Sequence, residues 1–209
     1  MSKHPEQQGR NANGSFALRL QQLTGQPVTS RRRSGASVLL LDTSESMEGG
    51  RLDEAKRGGM DFAASMRDKG VRVGIVAFNK EASIVLSDAR SSSDTAAAIG
   101  RLSASGTTHV AKALRAAQGL LLAHDTPDRS VCIVSDGQPS DRDKALEVAG
   151  EMKRAGIQIL TIAVADADRE FLGEFASKPS LALATGDSGL RKTLTGAAWL
   201  LLEGGSTER

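Results

Sequence analysis

The stretch VLLLDTSESM, residues 38–47, places four aliphatic residues directly in front of an aspartate and two serines. A continuous apolar run of this length is typical of a β-strand that is covered on both faces. Asp42, Ser44 and Ser46 then follow at every second position. The stretch therefore predicts a buried strand with oxygen-bearing side chains at its carboxyl end.

Outward from this strand, short aliphatic runs alternate with longer amphipathic stretches. Strands are predicted at residues 37–41, 71–78, 82–87, 130–135, 157–165 and 180–184. Helices are predicted at residues 53–69, 94–102, 110–123, 141–155, 169–176 and 190–202. Because only residues 79–81 separate the second and third strands, these two strands must form an antiparallel hairpin. The pattern predicts an α/β fold with a doubly wound, mostly parallel sheet, one antiparallel edge strand and helices on both faces.

The composition favours one globular domain. A chain of 209 residues with 39% apolar content can bury one sizeable core. Aromatic residues make up only 3%, so the core is expected to be aliphatic. We expect residues 1–34 to form a basic, largely disordered leader with a short helix at 15–23, residues 35–203 to form the domain, and residues 204–209 to form a flexible tail.

The net charge of +2 is unevenly distributed along the chain. Residues 1–33 carry six basic side chains and one acidic side chain, which gives +5 and leaves −3 for the remainder. A nucleic-acid-binding domain would carry its basic stripe on the folded part. The charge distribution therefore argues against a nucleic-acid partner.

Cys132 is the only cysteine, which excludes an internal disulfide and a cysteine zinc cluster. Its position within an aliphatic strand predicts a buried side chain. The N-terminal residues lack the apolar core of a signal peptide, and no window of about eighteen apolar residues indicates a membrane span. We therefore expect a cytoplasmic protein without a membrane partner.

Three loops of short oxygen-bearing side chains follow a predicted strand or open a predicted helix. They are DTSES at residues 42–46, GTTH at 106–109 and SDG at 135–137. Ligands of open α/β sheets bind beyond the carboxyl ends of the strands. Asp, Ser and Thr offer the hard oxygen donors that Mg²⁺ and Mn²⁺ prefer. The sequence predicts a Mg²⁺ or Mn²⁺ site where these loops meet.

The motifs DTSESM (42–47), GTTHVAKAL (106–114) and SDG (135–137) resemble the metal-ion-dependent adhesion site of von Willebrand factor A domains. That family has Asp-x-Ser-x-Ser after its first strand, a Thr before a helix and an Asp after its fourth strand. The resemblance covers residues 36–203 and is to the small intracellular bacterial type. It implies metal-site roles for Asp42, Ser44, Ser46, Thr108 and Asp136.

The resemblance also implies how these residues act. Ser44, Ser46 and Thr108 bind the ion through hydroxyls, whereas Asp42 and Asp136 act largely through waters. The ion then keeps an open position that an Asp or Glu of a partner protein fills. The implied function is a non-enzymatic adaptor, and the implied companion is a MoxR-type AAA+ ATPase or a tellurite-type stress system.

The chain departs from the family pattern at two places. Gly106 and Thr107 stand where the family often has Gly-Gly, and Glu45 stands where Gly is frequent. Thr108 is preferred to Thr107 as the ligand because it precedes Leu114 by six residues, the spacing found in the family. Neither departure removes a ligand, although Glu45 adds a negative charge at the rim.

Two alternatives remain open from the sequence. Asp166 and Asp168 follow the fifth strand and allow a Mg²⁺-dependent phosphoryl-transfer or Toprim-like nucleic-acid enzyme, or simply a cluster that starts a helix. The nucleotide-binding and hydrolase motifs GxxxxGK[ST], GxGxxG and GxSxG do not occur. Ser44, Ser46 and Asp136 could instead serve only as helix caps.

Overall fold

The computed structural model describes residues 35–136 and 139–204. The predictions for the leader at 1–34, its short helix and residues 205–209 lie outside this range. The strands are β1 (Gly35–Asp42), β2 (Val71–Phe78), β3 (Ala82–Leu86), β4 (Asp128–Ser135), β5 (Ile157–Val164) and β6 (Ala182–Thr185). The helices are α1 (Gly50–Asp68), α2 (Ser92–Gly100), α3 (Val110–Leu122), α4 (Arg142–Arg154), α5 (Arg169–Phe175) and α6 (Leu190–Gly204).

The strands form one sheet in the order β3-β2-β1-β4-β5-β6. All neighbours are parallel except β2 and β3, which pair antiparallel across the short connection at residues 79–81. The predicted α/β fold class, with its antiparallel edge strand, is confirmed. β1 lies in the interior of the sheet, hydrogen-bonded to β2 on one side and β4 on the other.

Side chains of β1 alternate between two hydrophobic cores because successive residues of a strand point to opposite faces. Leu39 and Leu41 belong to the core beneath α1 and α6, and Val38 and Leu40 to the core beneath α3, α4 and α5. Every residue of β1 is buried. The aliphatic run at 38–41 is therefore explained by helices that cover both faces.

Phenylalanine contributes more to the core than the low aromatic content suggests. The four phenylalanines in the described part of the chain are fully buried, and they are Phe62, Phe78, Phe171 and Phe175. Phe171 and Phe175 pack edge to face on α5, with ring centroids 4.7 Å apart. The aromatic residues are few, but these four phenylalanines all lie in the core, whereas Trp199 is exposed.

The predicted start of the sixth strand is wrong by two residues. Pro179–Leu181 forms a single 3₁₀ turn, and β6 begins only at Ala182. Proline lacks an N–H and has a fixed φ, so it suits the first position of a helical turn. The apolar residue Leu181 is buried by this turn rather than by the strand.

Glycine allows α1 and α6 to pack closely. A side chain at Gly58 would place its Cβ 2.7 Å from Leu194 Cδ1 and 3.0 Å from Arg191 Cα. Gly58 lowers the helix propensity of α1 but leaves room for the α6 atoms that a Cβ there would meet. Among the described residues, no helix has the length and apolar character needed to cross a membrane.

Candidate metal centre

The described residues of the three predicted loops meet at the carboxyl edge of the sheet, beside β1 and β4, and Gly137 of the third loop lies outside the described residues. From β1 the chain continues outward to β2 and β3, then returns to β4 on the other side of β1. The direction of winding therefore reverses between β1 and β4. In open α/β sheets the crevice at such a reversal is the usual ligand site. Asp42 ends β1, and Asp136 directly follows β4.

Backbone hydrogen bonds join the loops into one unit. The Glu45 amide donates to the Gly106 carbonyl over 2.9 Å, which ties the loop after β1 to the loop before α3. The Ser140 amide donates to the Thr108 carbonyl over 3.0 Å, which ties the β4–α4 connection to the same segment. Gly106 has φ of 72°, a left-handed conformation that glycine adopts without steric cost. The polar side chains of these loops are therefore held at fixed relative positions.

The oxygens of Ser44, Ser46 and Asp136 form a continuous cluster. Ser44 Oγ lies 3.1 Å from Ser46 Oγ, and Ser46 Oγ donates to Asp136 Oδ1 over 2.7 Å. In an octahedral Mg²⁺ site with Mg–O distances of about 2.1 Å, neighbouring ligand oxygens lie about 3 Å apart. The cluster spacing and its hard oxygen donors thus fit a small divalent cation.

Thr108 is buried two residues before α3, and its carbonyl accepts the Ser140 amide. Its hydroxyl makes no hydrogen bond to any described residue, so its oxygen is available to a ligand. Asp141 holds this segment in place: its two carboxylate oxygens accept hydrogen bonds from the Val110 and Ala111 amides, each over 2.9 Å. Asp141 thereby satisfies two of the free N–H groups at the start of α3. The sequence places Asp141 only at the start of a helix and gives no sign of this contact.

Asp42 is fully buried beneath the serines. Its Oδ1 accepts the Ser44 amide over 2.8 Å, and its Oδ2 accepts the Ser135 hydroxyl over 2.5 Å. Burial raises the pKa of Asp42 to about 6, and the hydrogen bonds from Ser135 and Ser44 only partly oppose this. A nearby cation would favour the ionised carboxylate, so the buried charge also suits a metal. Asp42 therefore stabilises the loop after β1, and both of its carboxylate oxygens accept hydrogen bonds from protein groups.

Arg51, at the start of α1, is a part of the site that the motifs do not contain. Its Nη1 donates to Asp136 Oδ2 over 2.8 Å and to the Ser46 carbonyl over 3.1 Å. Its Nε donates to Asp187 Oδ1 over 2.9 Å. Asp187 lies in the short turn before α6. Arg51 thus joins the predicted ligands to a segment far away in the sequence.

Of the two aspartates after β5, Asp168 has contacts that belong to the start of α5. Asp168 Oδ1 accepts the Phe171 amide over 3.0 Å at the start of α5, and its Oδ2 pairs with Arg142 at 2.7 Å. The Phe171 amide and then Arg142 lower the pKa of Asp168. These contacts match a cluster that starts a helix. Across residues 35–136 and 139–204, no three His, Cys, Asp or Glu side chains group as a metal site, so the candidate centre depends on its hydroxyls.

Cys132 is buried in β4, as predicted. Burial raises the pKa of its thiol well above the ordinary range, because the apolar surroundings disfavour the thiolate. A thiol needs its anionic form to react as a nucleophile or to bind a metal. Cys132 therefore acts as a small apolar core residue.

The fold and the oxygen cluster define an α/β domain with a candidate cation centre where its winding reverses. The von Willebrand factor type A domain pattern matches residues 38–195. The chain belongs to the von Willebrand factor type A domain family. Comparison with curated protein sequences gives no significant match.

Solved structures share this fold at low sequence identity. The von Willebrand factor domain of the type V pili tip protein Mfa5 from Porphyromonas gingivalis superposes with a TM-score of 0.78 at 14% identity, over 85% of this chain and 98% of that one. The pilus adhesin SpaC from Lactobacillus rhamnosus GG has a TM-score of 0.70 at 18% identity, over 83% of this chain and 31% of SpaC. A von Willebrand factor type A protein from Catenulispora acidiphila has a TM-score of 0.68 at 18% identity, over 81% of this chain and 43% of that one. At these identities the likeness concerns the fold alone.

Proposed function

We propose that this chain binds Mg²⁺ or Mn²⁺ between its three loops and uses the ion to hold an acidic side chain of another protein. The observation that carries the proposal is the oxygen cluster of Ser44, Ser46 and Asp136, with separations of 3.1 and 2.7 Å. Membership of a protein-interaction and adhesion fold family supports it.

In this proposal, hydroxyls form most of the direct metal contacts. Ser44, Ser46 and Thr108 would bind through neutral oxygens, and Asp136 would act from the edge of the cluster. Asp42 would not contact the ion directly, because both of its carboxylate oxygens accept hydrogen bonds from the protein. When bound, the ion supplies a positive charge that neutral ligands leave largely uncompensated, and this charge attracts a carboxylate.

An adaptor role follows more readily from this arrangement than catalysis. Hydrolysis at a metal would need a general base placed beside an activated water. Asp168, one of the two aspartates after β5, accepts a hydrogen bond from the Phe171 amide and pairs with Arg142. The proposed partner is therefore a protein that presents an Asp or Glu, and the resemblance of the motifs makes a MoxR-type AAA+ ATPase the class to test first.

Calorimetric titration with Mn²⁺ tests the metal site. Binding should occur in the wild-type protein and be lost in the double variant Ser44→Ala with Ser46→Ala. The matched control is Ser91→Ala with Ser93→Ala, because this pair has the same spacing and a hydroxyl separation of 3.0 Å. Equal Mn²⁺ binding in wild type and the first double variant would refute the site.

A pull-down from native cell extract tests the interaction. A partner captured in Mg²⁺ should be lost when EDTA is added and when Ser44 and Ser46 are both replaced by alanine. The Ser91 and Ser93 control should retain the partner. Retention in EDTA and in the Ser44 and Ser46 variant would place the interaction on another face.

A further inference from the structure

Arg51 brings a permanent positive charge into direct contact with the candidate metal centre. Its Nη1 contacts Asp136 Oδ2 at 2.8 Å and the Ser46 carbonyl at 3.1 Å. The Asp136 carboxylate is therefore shared: Oδ1 accepts the Ser46 hydroxyl, and Oδ2 accepts the guanidinium. Arginine stays protonated at all physiological pH values, so this charge is always present.

The surroundings keep this charge close to the cluster while leaving it accessible. The Asp136 side chain is fully buried, whereas 29% of the Arg51 side chain is exposed. Asp187, on the solvent side, anchors Nε over 2.9 Å. Within residues 35–136 and 139–204, the second terminal nitrogen of Arg51, Nη2, makes no hydrogen bond. Arg51 is thus oriented by two carboxylates and still has N–H donors to offer.

We infer that Arg51 is a specificity-determining residue, which weakens cation binding at the centre and strengthens binding of a carboxylate to the cation-loaded centre. The inference rests on the proposed function. A guanidinium repels a cation that binds beside Asp136, whereas a carboxylate that reaches the same centre meets two positive charges. A guanidinium also matches the planar geometry of a carboxylate and favours this group over neutral ligands.

The distinctive consequence is that one substitution changes the two affinities in opposite directions. Arg51→Gln should bind Mn²⁺ about thirtyfold more tightly, because two unit charges about 4 Å apart interact by about 1 kcal/mol even in water and the ion carries two charges. The Mn²⁺-loaded variant should bind glutarate, a simple dicarboxylate, about tenfold more weakly. A residue with only a structural role would weaken both.

Calorimetry with Mn²⁺ alone, followed by glutarate added to the Mn²⁺-loaded protein, measures both affinities. Arg51→Lys keeps the charge and should bind Mn²⁺ within about threefold of wild type. Arg57→Gln is the matched control on the same helix, because Arg57 pairs with Glu54 at 3.1 Å. It should leave both affinities unchanged. Thermal unfolding of each variant checks that the fold is retained.

Each outcome decides the inference. Opposite shifts in Arg51→Gln, with Arg51→Lys close to wild type, support it, whereas Mn²⁺ binding that occurs only after Arg51 is replaced overturns it, because wild type then has no cation-loaded centre. Unchanged affinities in Arg51→Gln, or shifts of both affinities in the same direction, overturn the inference. The proposed function still stands in that case if wild type binds Mn²⁺ and the Ser44 and Ser46 double variant does not. Absence of Mn²⁺ binding in both wild type and Arg51→Gln overturns the inference and the proposed function together.

Discussion

Replacing Gly58 by alanine should destabilise the protein, although alanine is the better helix former. The added Cβ would lie 2.7 Å from Leu194 Cδ1 and 3.0 Å from Arg191 Cα. Leu194 is fully buried, and the Arg191 atom belongs to the backbone of α6. Because Leu194 is packed in the core and the Arg191 atom is part of the backbone, α1 and α6 must separate or the Leu194 side chain must change its rotamer.

The expected size of the effect follows from two opposing contributions. Overpacking a buried contact costs about 1–3 kcal/mol, whereas Gly→Ala in a helix interior gains about 1 kcal/mol. Gly58→Ala should therefore lower the free energy of unfolding by about 1 kcal/mol. Gly196→Ala in α6 is the matched control, because no atom lies within 4 Å of its added Cβ. It should raise the free energy of unfolding by about 0.5–1 kcal/mol.

Urea unfolding followed by circular dichroism measures both variants against wild type. The two substitutions should shift the midpoint in opposite directions with an unchanged slope. If Gly58→Ala were as stable as Gly196→Ala, the close approach of α1 and α6 would not constrain the packing. The reasoning about Gly58 would then be refuted.

Three further predictions concern single side chains. Cys132 should react with a thiol reagent only after unfolding, because its side chain is buried and its thiolate is disfavoured. Equal labelling rates for the native protein and the urea-unfolded chain would contradict this. Asp141→Ala should cost about 1–2 kcal/mol in urea unfolding and weaken Mn²⁺ binding, whereas Asp141→Asn should retain much of both, because Asp141 caps the helix that follows Thr108. An alanine variant with unchanged stability and affinity would exclude that role. Phe62→Ala should cost about 3–5 kcal/mol, and a loss below about 1 kcal/mol would show that the core closes around the gap.

Local patterns explain why the order of strands and helices was predictable. β1 contains the aliphatic run 38–41, β2 is apolar except for Arg72, and their predicted positions agree with the structure to within a few residues. The connection at 79–81 is too short for anything but an antiparallel return, and β3 pairs with β2 in that way. The start of β6 was harder to predict, because a 3₁₀ turn and a short edge strand can contain the same apolar residues.

The candidate site was likewise predictable from the sequence only in part. The spacing of Ser44 and Ser46 and the position of Asp136 after β4 place their oxygens at one edge of the sheet, and the structure brings these three side chains into contact. The role of all five predicted ligands as metal ligands stays a prediction. Arg51 carried no signal, because it precedes the predicted helix at 53–69 and an arginine in such a position is ordinarily a solvated residue.

The sequence by itself determined the α/β class, the edge hairpin and the three polar loops, since hydrophobic period and connection length act over a few neighbouring residues. Only the tertiary structure decided that Arg51 meets Asp187 across 136 positions and that Ser135 supports Asp42 across 93. It also decided that Gly58 is needed for α6 to approach α1. The physical reason is that these contacts depend on the relative placement of packed strands and helices, which no local pattern encodes.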